Sequence, residues 1–350
     1  MLEQYHGKKV LITGDTGFKG SWLSLILYMS GAEVTGYGLN PPTTPALYDL
    51  LCLNNYIEHI DGDIRDRENL QKVLREKQPE IIFHLAAQPI VQYSYQEPAY
   101  TYETNVMGTV NLLESVRHTP SVKSVLNITT DKVYRNREWE WGYRENEELD
   151  GFDPYSNSKS CSELVTHSYK ASFFDQSDVC VSTARAGNVI GGGDFAPNRI
   201  IPDCFRAAEL NKNIILRNPH SIRPYQHVLE PLSAYLHIVL AQMEDQDKQD
   251  YYNVGPDEIN CVTTGKIAEL FCHYWGKDLT WITKSDHSKH EANFLKLDCS
   301  KIKHRLGWHP RWGIEKSIKK TVAWYQYYLT GGNLLKYTER QIQDFFEKYK

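Results

Sequence analysis

The sequence lacks the features of a secreted or membrane-anchored protein. Its seven cysteines are scattered and none forms a CxxC pair, which is typical of reduced thiols in a cytoplasmic protein. The most apolar stretch, from Trp22 to Met29, is far shorter than the roughly 18 residues of a membrane helix. The N-terminal residues MLEQYHGKKV lead into a strand-like segment without the pattern of a signal peptide. We therefore expect a cytoplasmic protein with no membrane partner.

The sequence also has no large excess of charge of either sign. Lys and Arg total 39 and Asp and Glu total 44, so the formal net charge is -5. This balance argues against a nucleic-acid partner, and an anionic ligand must instead be held by a local cluster of basic groups. A length of 350 residues predicts two domains, at about 150 residues per domain.

Short apolar segments alternate with helical ones through the first half of the chain. Because these segments are apolar without alternation, they are predicted to be parallel strands buried on both faces. The α/β order indicates a Rossmann-type doubly wound parallel sheet. The predicted strands are residues 10–13, 33–36, 56–60, 81–86, 125–129 and 179–184.

The alternation weakens after residue 187, where turns rich in Gly, Pro and Asn appear. A further strand-like segment at 252–254 predicts a return to the main sheet. We expect a Rossmann domain over residues 1–187 with a return segment at about 228–260. Residues 188–350 then form mainly a smaller, interleaved substrate-binding domain. An amphipathic terminal helix over 333–350 is predicted to dock on the body of the protein.

A glycine-rich turn follows the first predicted strand. Gly14, Gly17 and Gly20 form a GxxGxxG pattern directly before an apolar helix. Such a pattern alone is weak, since it also fits a plain turn, but its place at the first βα junction favours a dinucleotide pyrophosphate site. The second strand region leads to Asn40 instead of an acid, and no Arg follows to bind a 2′-phosphate. NAD is therefore favoured, with Lys19 as a possible 2′-phosphate ligand.

A second motif, YxxxK, places Tyr155 and Lys159 on one face of a predicted helix. An ammonium beside a phenol favours the phenolate, so Tyr155 can act as a base. By itself the motif occurs often by chance. Its meaning comes from its order after the glycine turn and the strand end Thr130-Asp131-Lys132.

Taken together, these motifs resemble the extended short-chain dehydrogenase/reductase family. DTGFKGSW (15–22), HLAAQP (84–89), TDKVY (130–134), NREWEWGYREN (136–146) and DPYSNSK (153–159) are similar to nucleotide-sugar 4,6-dehydratases, and among them to those that act on CDP-glucose. ARAGNVIGGGD (184–194), RPYQHV (223–228) and HEANFLKLD (290–298) extend the resemblance over nearly the whole chain. Asp15 and Val133 depart from it, because His and Cys are expected there.

The resemblance implies a deoxysugar-forming enzyme that serves surface polysaccharide synthesis. It would convert CDP-glucose to CDP-4-keto-6-deoxyglucose and water by internal hydride transfer through tightly held NAD. Tyr155 and Thr130 would act at the sugar 4-oxygen, with Lys159 lowering the pKa of Tyr155. Asp131 and Lys132 would be the acid and the base of water loss. Simpler readings are a capping carboxylate for Asp131 and an orienting or phosphate-binding cation for Lys132.

The remaining expected contacts divide into two sets. For the cofactor, besides Tyr155 and Lys159, they are Gly14, Thr16, Gly17, Phe18, Lys19, Gly20, Asn40, Asp63, Ile64, Ala86, Ala87 and Asn105. For the substrate they are Gln88, Asn188, Arg199, Arg223, His227 and His290. No metal is expected, because the His and Glu residues of segment 287–291 lack the HExxH order.

Three alternatives remain open. A 4-epimerase or decarboxylase of this fold would use the same Tyr and Lys, but it needs no acid–base pair for water loss. A dehydratase for another nucleotide sugar would share all these motifs. A non-enzymatic dinucleotide sensor would have no need of Tyr155 and Lys159. In this family the helices predicted at 98–117 and 155–173 commonly pair between subunits, so a homodimer or homotetramer is expected.

Overall fold

The computed structural model of the chain describes residues 1–276, 278–284 and 294–347. Its centre is a seven-stranded sheet with the order β3-β2-β1-β4-β5-β6-β11. All neighbouring strands of this sheet are parallel. The strands are β1 (Lys9–Thr13), β2 (Glu33–Gly38), β3 (Glu58–Asp61), β4 (Ile81–His84), β5 (Ser124–Thr130), β6 (Cys180–Ala186), β7 (Val189–Ile190), β8 (Ile214–Leu216), β9 (Ile222–Arg223), β10 (Gln226–His227), β11 (Tyr251–Val254), β12 (Val262–Thr263) and β13 (Trp281–Thr283).

The predicted doubly wound sheet is confirmed. Every residue of β4, β5 and β6 is buried, as the continuous apolar runs indicated. The strand order reverses direction between β1 and β4, and a sheet of this kind binds ligands in the crevice at that switch point.

Helices cover both faces of the sheet. Trp22 of α1, Leu232 of α9 and Trp324 of α12 belong to the larger apolar core. Leu74 of α3 and Leu113 of α6 belong to the core on the other face. The helices are α1 (Phe18–Met29), α2 (Leu47–Leu50), α3 (Arg67–Lys77), α4 (Val91–Gln96), α5 (Pro98–Tyr102), α6 (Gly108–Arg117), α7 (Pro154–Tyr169), α8 (Ile200–Glu209), α9 (Leu229–Glu244), α10 (Thr264–Trp275), α11 (Ser300–Leu306), α12 (Ile314–Leu329) and α13 (Leu334–Phe346).

Part of the second half of the chain returns to the main sheet. Strand β11 pairs with β6, and Gln242 of α9 donates to Ser124 Oγ at 2.6 Å and to the Val125 carbonyl at 3.2 Å. The terminal helix α13 buries Ile342 and Phe345, so its predicted docking is confirmed. The domain boundaries themselves stay a prediction. In the described ranges, none of the helices has the length and apolar character needed to cross a membrane.

A buried ion pair joins helix α7 to the sheet. Glu163 of α7 lies 2.9 Å from the guanidinium of Arg185 on β6, and both side chains are almost fully buried. The Glu163 carboxylate also accepts hydrogen bonds from Thr129 of β5 and from Thr183 of β6. Arg185 donates in addition to Tyr134 Oη at 2.9 Å. The first two turns of α7 therefore lie at a set position over the ends of β5 and β6.

Replacing Arg185 by Met should destabilise the fold strongly. The variant leaves the buried Glu163 carboxylate without its cation, which costs about 3–5 kcal/mol. The matched control is Lys266→Met, because Lys266 pairs with Glu269 on the exposed surface of α10 at 2.9 Å. That pair should contribute less than about 1 kcal/mol. Chemical denaturation measures both free energies of unfolding, and equal losses would contradict the role given to Arg185.

Candidate active site

A large cleft opens at the switch point of the sheet. Its volume is about 1860 Å³, and residues from the turn after β1 and from the ends of β4 and β5 line it. Its opposite wall comes from residues 193–203 and 215–221. A cleft of this size, with one wall built from strand ends, can hold two ligands side by side.

The glycine turn is shaped for close approach of a ligand. Gly14 has a φ of +76°, and a β-carbon there would lie 2.8 Å from the backbone nitrogen of Ala86. A β-carbon on Gly20 would lie 2.1 Å from the Gly14 carbonyl oxygen. Helix α1 begins at Phe18 behind Gly17, which provides no side-chain cap. The first-turn N–H groups therefore point into the cleft as an anion site, which fits the pyrophosphate of a dinucleotide.

The residues predicted for the adenosine end lie together. Asn40, Asp63 and Ile64 line the cleft beside Thr16, whose hydroxyl donates to the Leu39 carbonyl at 2.8 Å. Ala86 and Ala87 line it from the end of β4. The Asp63 carboxylate is bound by the Arg65 guanidinium, with one contact at 2.6 Å, and this pairing lowers the pKa of Asp63.

Lys19 does not serve the adenosine end, contrary to the role considered for a 2′-phosphate. Its ammonium lies 5.7 Å from the ring centre of Tyr235. Burial, followed by the positive charges of Lys159 and Arg199, lowers the pKa of Lys19 to about 7. These neighbours place the Lys19 ammonium on the catalytic side of the glycine turn.

Helix α7 presents Tyr155 and Lys159 to the cleft. Asp153 caps the helix by accepting the Ser156 N–H at 3.0 Å, and Pro154 occupies its first position. The Lys159 ammonium donates to the Ile128 carbonyl at 3.2 Å. Burial lowers the pKa of Lys159 to about 8, and the charge of Glu163 opposes that shift.

The predicted effect of Lys159 on Tyr155 is not found. Burial raises the pKa of the Tyr155 phenol to about 12, against a hydrogen bond with Thr130 and the charge of Arg199. Lys159 is not among the groups that lower it, because its ammonium is directed to the backbone of β5. The phenol is therefore neutral at pH 7, and a further positive charge beside it would favour its ionisation.

Thr130, Asp131 and Lys132 form a second group at the end of β5. Asp131 Oδ1 accepts from the Thr130 hydroxyl at 3.0 Å and from the Lys132 ammonium at 3.3 Å. Asp131 Oδ2 is buried and unpartnered among the described residues. Lys132 also donates to Asn188 Oδ1 at 3.3 Å and lines the cleft. Asp131 lies behind this wall, and its polar contacts run through Thr130 and Lys132.

Four of the predicted substrate residues also line the cleft. They are Gln88, Asn188, Arg199 and Arg223. The Arg199 guanidinium lies 3.1 Å from the buried Asp194 carboxylate, which raises the pKa of Arg199 and orients the side chain. Gln88 is held by its own loop, since its amide donates to the Thr101 hydroxyl at 2.9 Å.

Two predicted contacts were wrong. His227 is fully buried in the core, with its ring centre 5.0 Å from that of Trp312 and 6.1 Å from that of Trp22, and burial lowers its pKa to about 3. Asn105 does not reach the cleft, because its amide is bonded to the Gln88 N–H and carbonyl at 2.8 and 3.1 Å. Asn105 therefore positions the loop that carries Gln88.

One predicted residue falls outside the described part of the chain. His290 and the segment 287–291 lie between residues 284 and 294, which bound a stretch that the structure does not describe. Within the described ranges, His, Cys, Asp and Glu form no group that could hold a metal ion.

Sequence reasoning missed three groups that support the site. Ser94 accepts the Tyr155 N–H at 3.1 Å, and Glu163 and Arg185 hold the helix of Tyr155 from below. Glu163 follows Lys159 by four residues, so helical spacing indicated that it shares a face with the motif. No local pattern indicated Ser94 or Arg185.

The fold and the Tyr155–Lys159 pair define a nucleotide-binding protein of the short-chain dehydrogenase/reductase class. The sequence profile of the GDP-mannose 4,6 dehydratase family matches residues 11–321, and the chain belongs to this family. The CDP-glucose 4,6-dehydratase of Salmonella typhimurium is 50% identical over 349 residues, which are 97% of each chain.

Solved structures share the fold at lower identity. The UDP-glucose 4-epimerase of Thermotoga maritima, in complex with UDP-glucose, is similar with a TM-score of 0.80 at 23% identity, over 91% of this chain and 99% of that one. The dTDP-glucose 4,6-dehydratase of Bacillus anthracis, in complex with NAD, has a TM-score of 0.76 at 23% identity, over 92% and 97% of the two chains.

Replacing Gly20 by Ala should weaken dinucleotide binding at least about tenfold, since the added methyl group overlaps the Gly14 carbonyl and forces the turn apart. Ser21→Ala is the matched control, because it lies in the same turn and adds no atom. Calorimetric titration with NAD⁺ measures both affinities, and circular dichroism checks the fold. An unchanged affinity in Gly20→Ala would contradict the assignment of the turn.

Proposed function

We propose that this protein is a hydro-lyase that converts CDP-glucose to CDP-4-keto-6-deoxyglucose and water. The observation that carries the proposal is the acid–base pair Asp131 and Lys132 beside Thr130 and Tyr155. Hydrogen leaves C5, hydroxide leaves C6, and hydrogen moves from C4 to C6, so the sugar undergoes no net redox change. The near-complete match to the Salmonella typhimurium CDP-glucose 4,6-dehydratase supports the same reaction.

NAD is the cofactor of the proposal, since the glycine turn, the adenosine end and Lys159 fit it. The Bacillus anthracis dehydratase of the same fold is an NAD complex. When bound, NAD⁺ accepts hydride from C4 and returns it at C6. It also brings a positive charge to the cleft, which favours ionisation of the buried Tyr155 phenol. Gly14, Gly17 and Gly20 would hold its pyrophosphate.

Tyr155 would take the proton of the 4-hydroxyl as C4 is oxidised. Thr130 would hold the same oxygen, because its hydroxyl lies beside the Tyr155 phenol. The resulting 4-ketone acidifies the C5–H bond, and Lys132, which faces the cleft, would remove that proton. Asp131 would protonate the departing 6-hydroxyl from Oδ2, the carboxylate oxygen that has no partner among the described residues.

An epimerase is the second candidate, because the Thermotoga maritima epimerase shares the fold. Epimerisation at C4 needs only the oxidation and its reversal, so it gives no role to a second acid and base. The cytidine base itself is proposed from the CDP-glucose dehydratase at 50% identity, whereas the Xanthomonas campestris dTDP-glucose 4,6-dehydratase is 27% identical over 337 residues. A cytoplasmic location is also proposed, supported by seven unpaired cysteines.

The direct test incubates the protein and NAD⁺ separately with CDP-, dTDP-, UDP- and GDP-hexoses. Mass spectrometry should show loss of one water from CDP-glucose alone. Water loss only from another nucleotide sugar would keep the reaction and replace the substrate. A new stereoisomer of unchanged mass would favour the epimerase, and no change with any sugar would overturn the proposal.

Variants of the acid–base pair should separate the two halves of water loss. In D₂O, Lys132→Gln should block both deuterium entry at C5 and water loss, whereas Asp131→Asn should slow water loss by at least about 100-fold but still allow deuterium entry. Mass spectrometry and NMR of the sugar distinguish these products. The matched surface control is Lys266→Gln. Normal water loss in Asp131→Asn would contradict its role as the acid.

We also propose that two copies of the chain pair through α5, α6 and α7. Large apolar side chains are exposed on these helices and on the π-helical turns that extend them, each by at least 36%. They are Tyr102, Met107, Leu164 and Phe173. Covering them against a second copy removes apolar area from water, which favours a homodimer or homotetramer.

Leu164→Glu should therefore yield a monomer at micromolar concentration, because a buried unpaired carboxylate opposes association. Leu210→Glu is the control, since Leu210 is 61% exposed just after α8, away from this surface. Sedimentation velocity measures both. A wild-type monomer would contradict the proposed assembly.

A further inference from the structure

The end of strand β2 lacks a common feature of NAD-binding folds. About 20 residues after the glycine turn, an Asp or Glu usually accepts a hydrogen bond from the adenosine ribose 2′-hydroxyl. In this chain β2 ends in Gly36-Tyr37-Gly38, and Leu39 and Asn40 follow. The strand end itself therefore supplies no carboxylate.

The Asp15 side chain occupies the space beside these two glycines. A β-carbon on Gly36 would lie 2.1 Å from Asp15 Oδ2, and one on Gly38 would lie 3.0 Å from Asp15 Oδ1. The carboxylate thus lies across the end of β2, although it comes from the glycine turn. Gly14 and Thr16 on either side of it, and Gly38 opposite, line the cleft.

Only one oxygen of this carboxylate is hydrogen bonded. Asp15 is fully buried, and its Oδ2 lies 2.7 Å from His59 Nδ1 of β3. Its Oδ1, the oxygen nearer Gly38, is buried with no hydrogen-bond partner among the described residues. Burying such an acceptor is unfavourable, so Asp15 is not explained by stability alone.

We propose that Asp15 selects a dinucleotide with a free 2′-hydroxyl over one with a 2′-phosphate, and that His59 is the positioning residue that holds it. The proposal rests on the proposed function and names the group that decides its cofactor. A fixed negative charge beneath the adenosine end repels the 2′-phosphate across a low-dielectric wall. The nearby bases do not offset it, because Lys19 faces Tyr235 and Arg65 is bound to Asp63.

His59 makes this repulsion dependent on pH. The groups around its ring are Asp15, Asp61 of β3, and Tyr48 and Asp49 of α2, with the Tyr48 ring centre 5.6 Å away. The hydrogen bond to Asp15 raises the pKa of His59. Above that pKa the imidazole loses its positive charge, so the Asp15 charge is no longer neutralised. Discrimination against a 2′-phosphate should therefore increase with rising pH.

The test is calorimetric titration of the full chain with NAD⁺ and with NADP⁺. The wild type should bind NAD⁺ more tightly, and Asp15→Asn should lower the ratio of the two affinities at least about tenfold. Asp49→Asn is the matched control, because Asp49 lies near the same pair but not against β2, and its ratio should change less than about threefold. An unchanged ratio in Asp15→Asn would overturn the proposal.

A second measurement uses the wild-type fold and so does not depend on how Asp15→Asn folds. From about pH 7 to pH 9, where the 2′-phosphate is already ionised, the ratio should rise in the wild type. It should be higher and nearly constant in His59→Gln. A constant wild-type ratio would overturn the inference while leaving the proposed function intact. Failure to bind either dinucleotide would overturn both.

Discussion

The buried ion pair between Glu163 and Arg185 is the contact on which the catalytic arrangement depends. It joins α7 to β6, and Thr129 of β5 adds a third element to the same carboxylate. Tyr155 and Lys159 lie on the two turns of α7 that precede Glu163, so the ion pair sets their height above the sheet. Buried pairs contribute little net stability, and their value here is to define one position for a helix that carries reactive groups.

Burial also decides the charge state of the site. It raises the pKa of Tyr155 and lowers the pKa values of Lys159 and Lys19. Each shift favours the neutral form of a group that is charged in its reactive or binding role. Ligand charges entering the cleft can therefore change these protonation states, since a diphosphate favours ammonium and a nicotinamide cation favours phenolate. In the proposed reaction, binding and proton transfer are coupled by this common cause.

Residues within one motif can serve opposite sides of the wall. Arg223 faces the cleft, whereas His227 at the other end of RPYQHV packs among tryptophans in the core. Asn105 supports the Gln88 loop, and Asp15 lies beneath the glycine turn while its neighbours line the cleft. A motif indicates that a segment belongs to a site. Which of its side chains enter that site depends on backbone direction, which local spacing does not specify.

The sequence by itself determined the parallel sheet, the glycine turn and the helix with Tyr155 and Lys159. These features follow from short-range patterns, namely buried apolar runs, glycines at a βα junction and i,i+4 spacing. Tertiary structure alone decided that Lys159 binds the Ile128 carbonyl, that Arg185 pairs with Glu163, and that Asp15 meets His59. Each of these contacts joins separate elements, and its energy depends on burial and distance, which exist only once the strands and helices have packed.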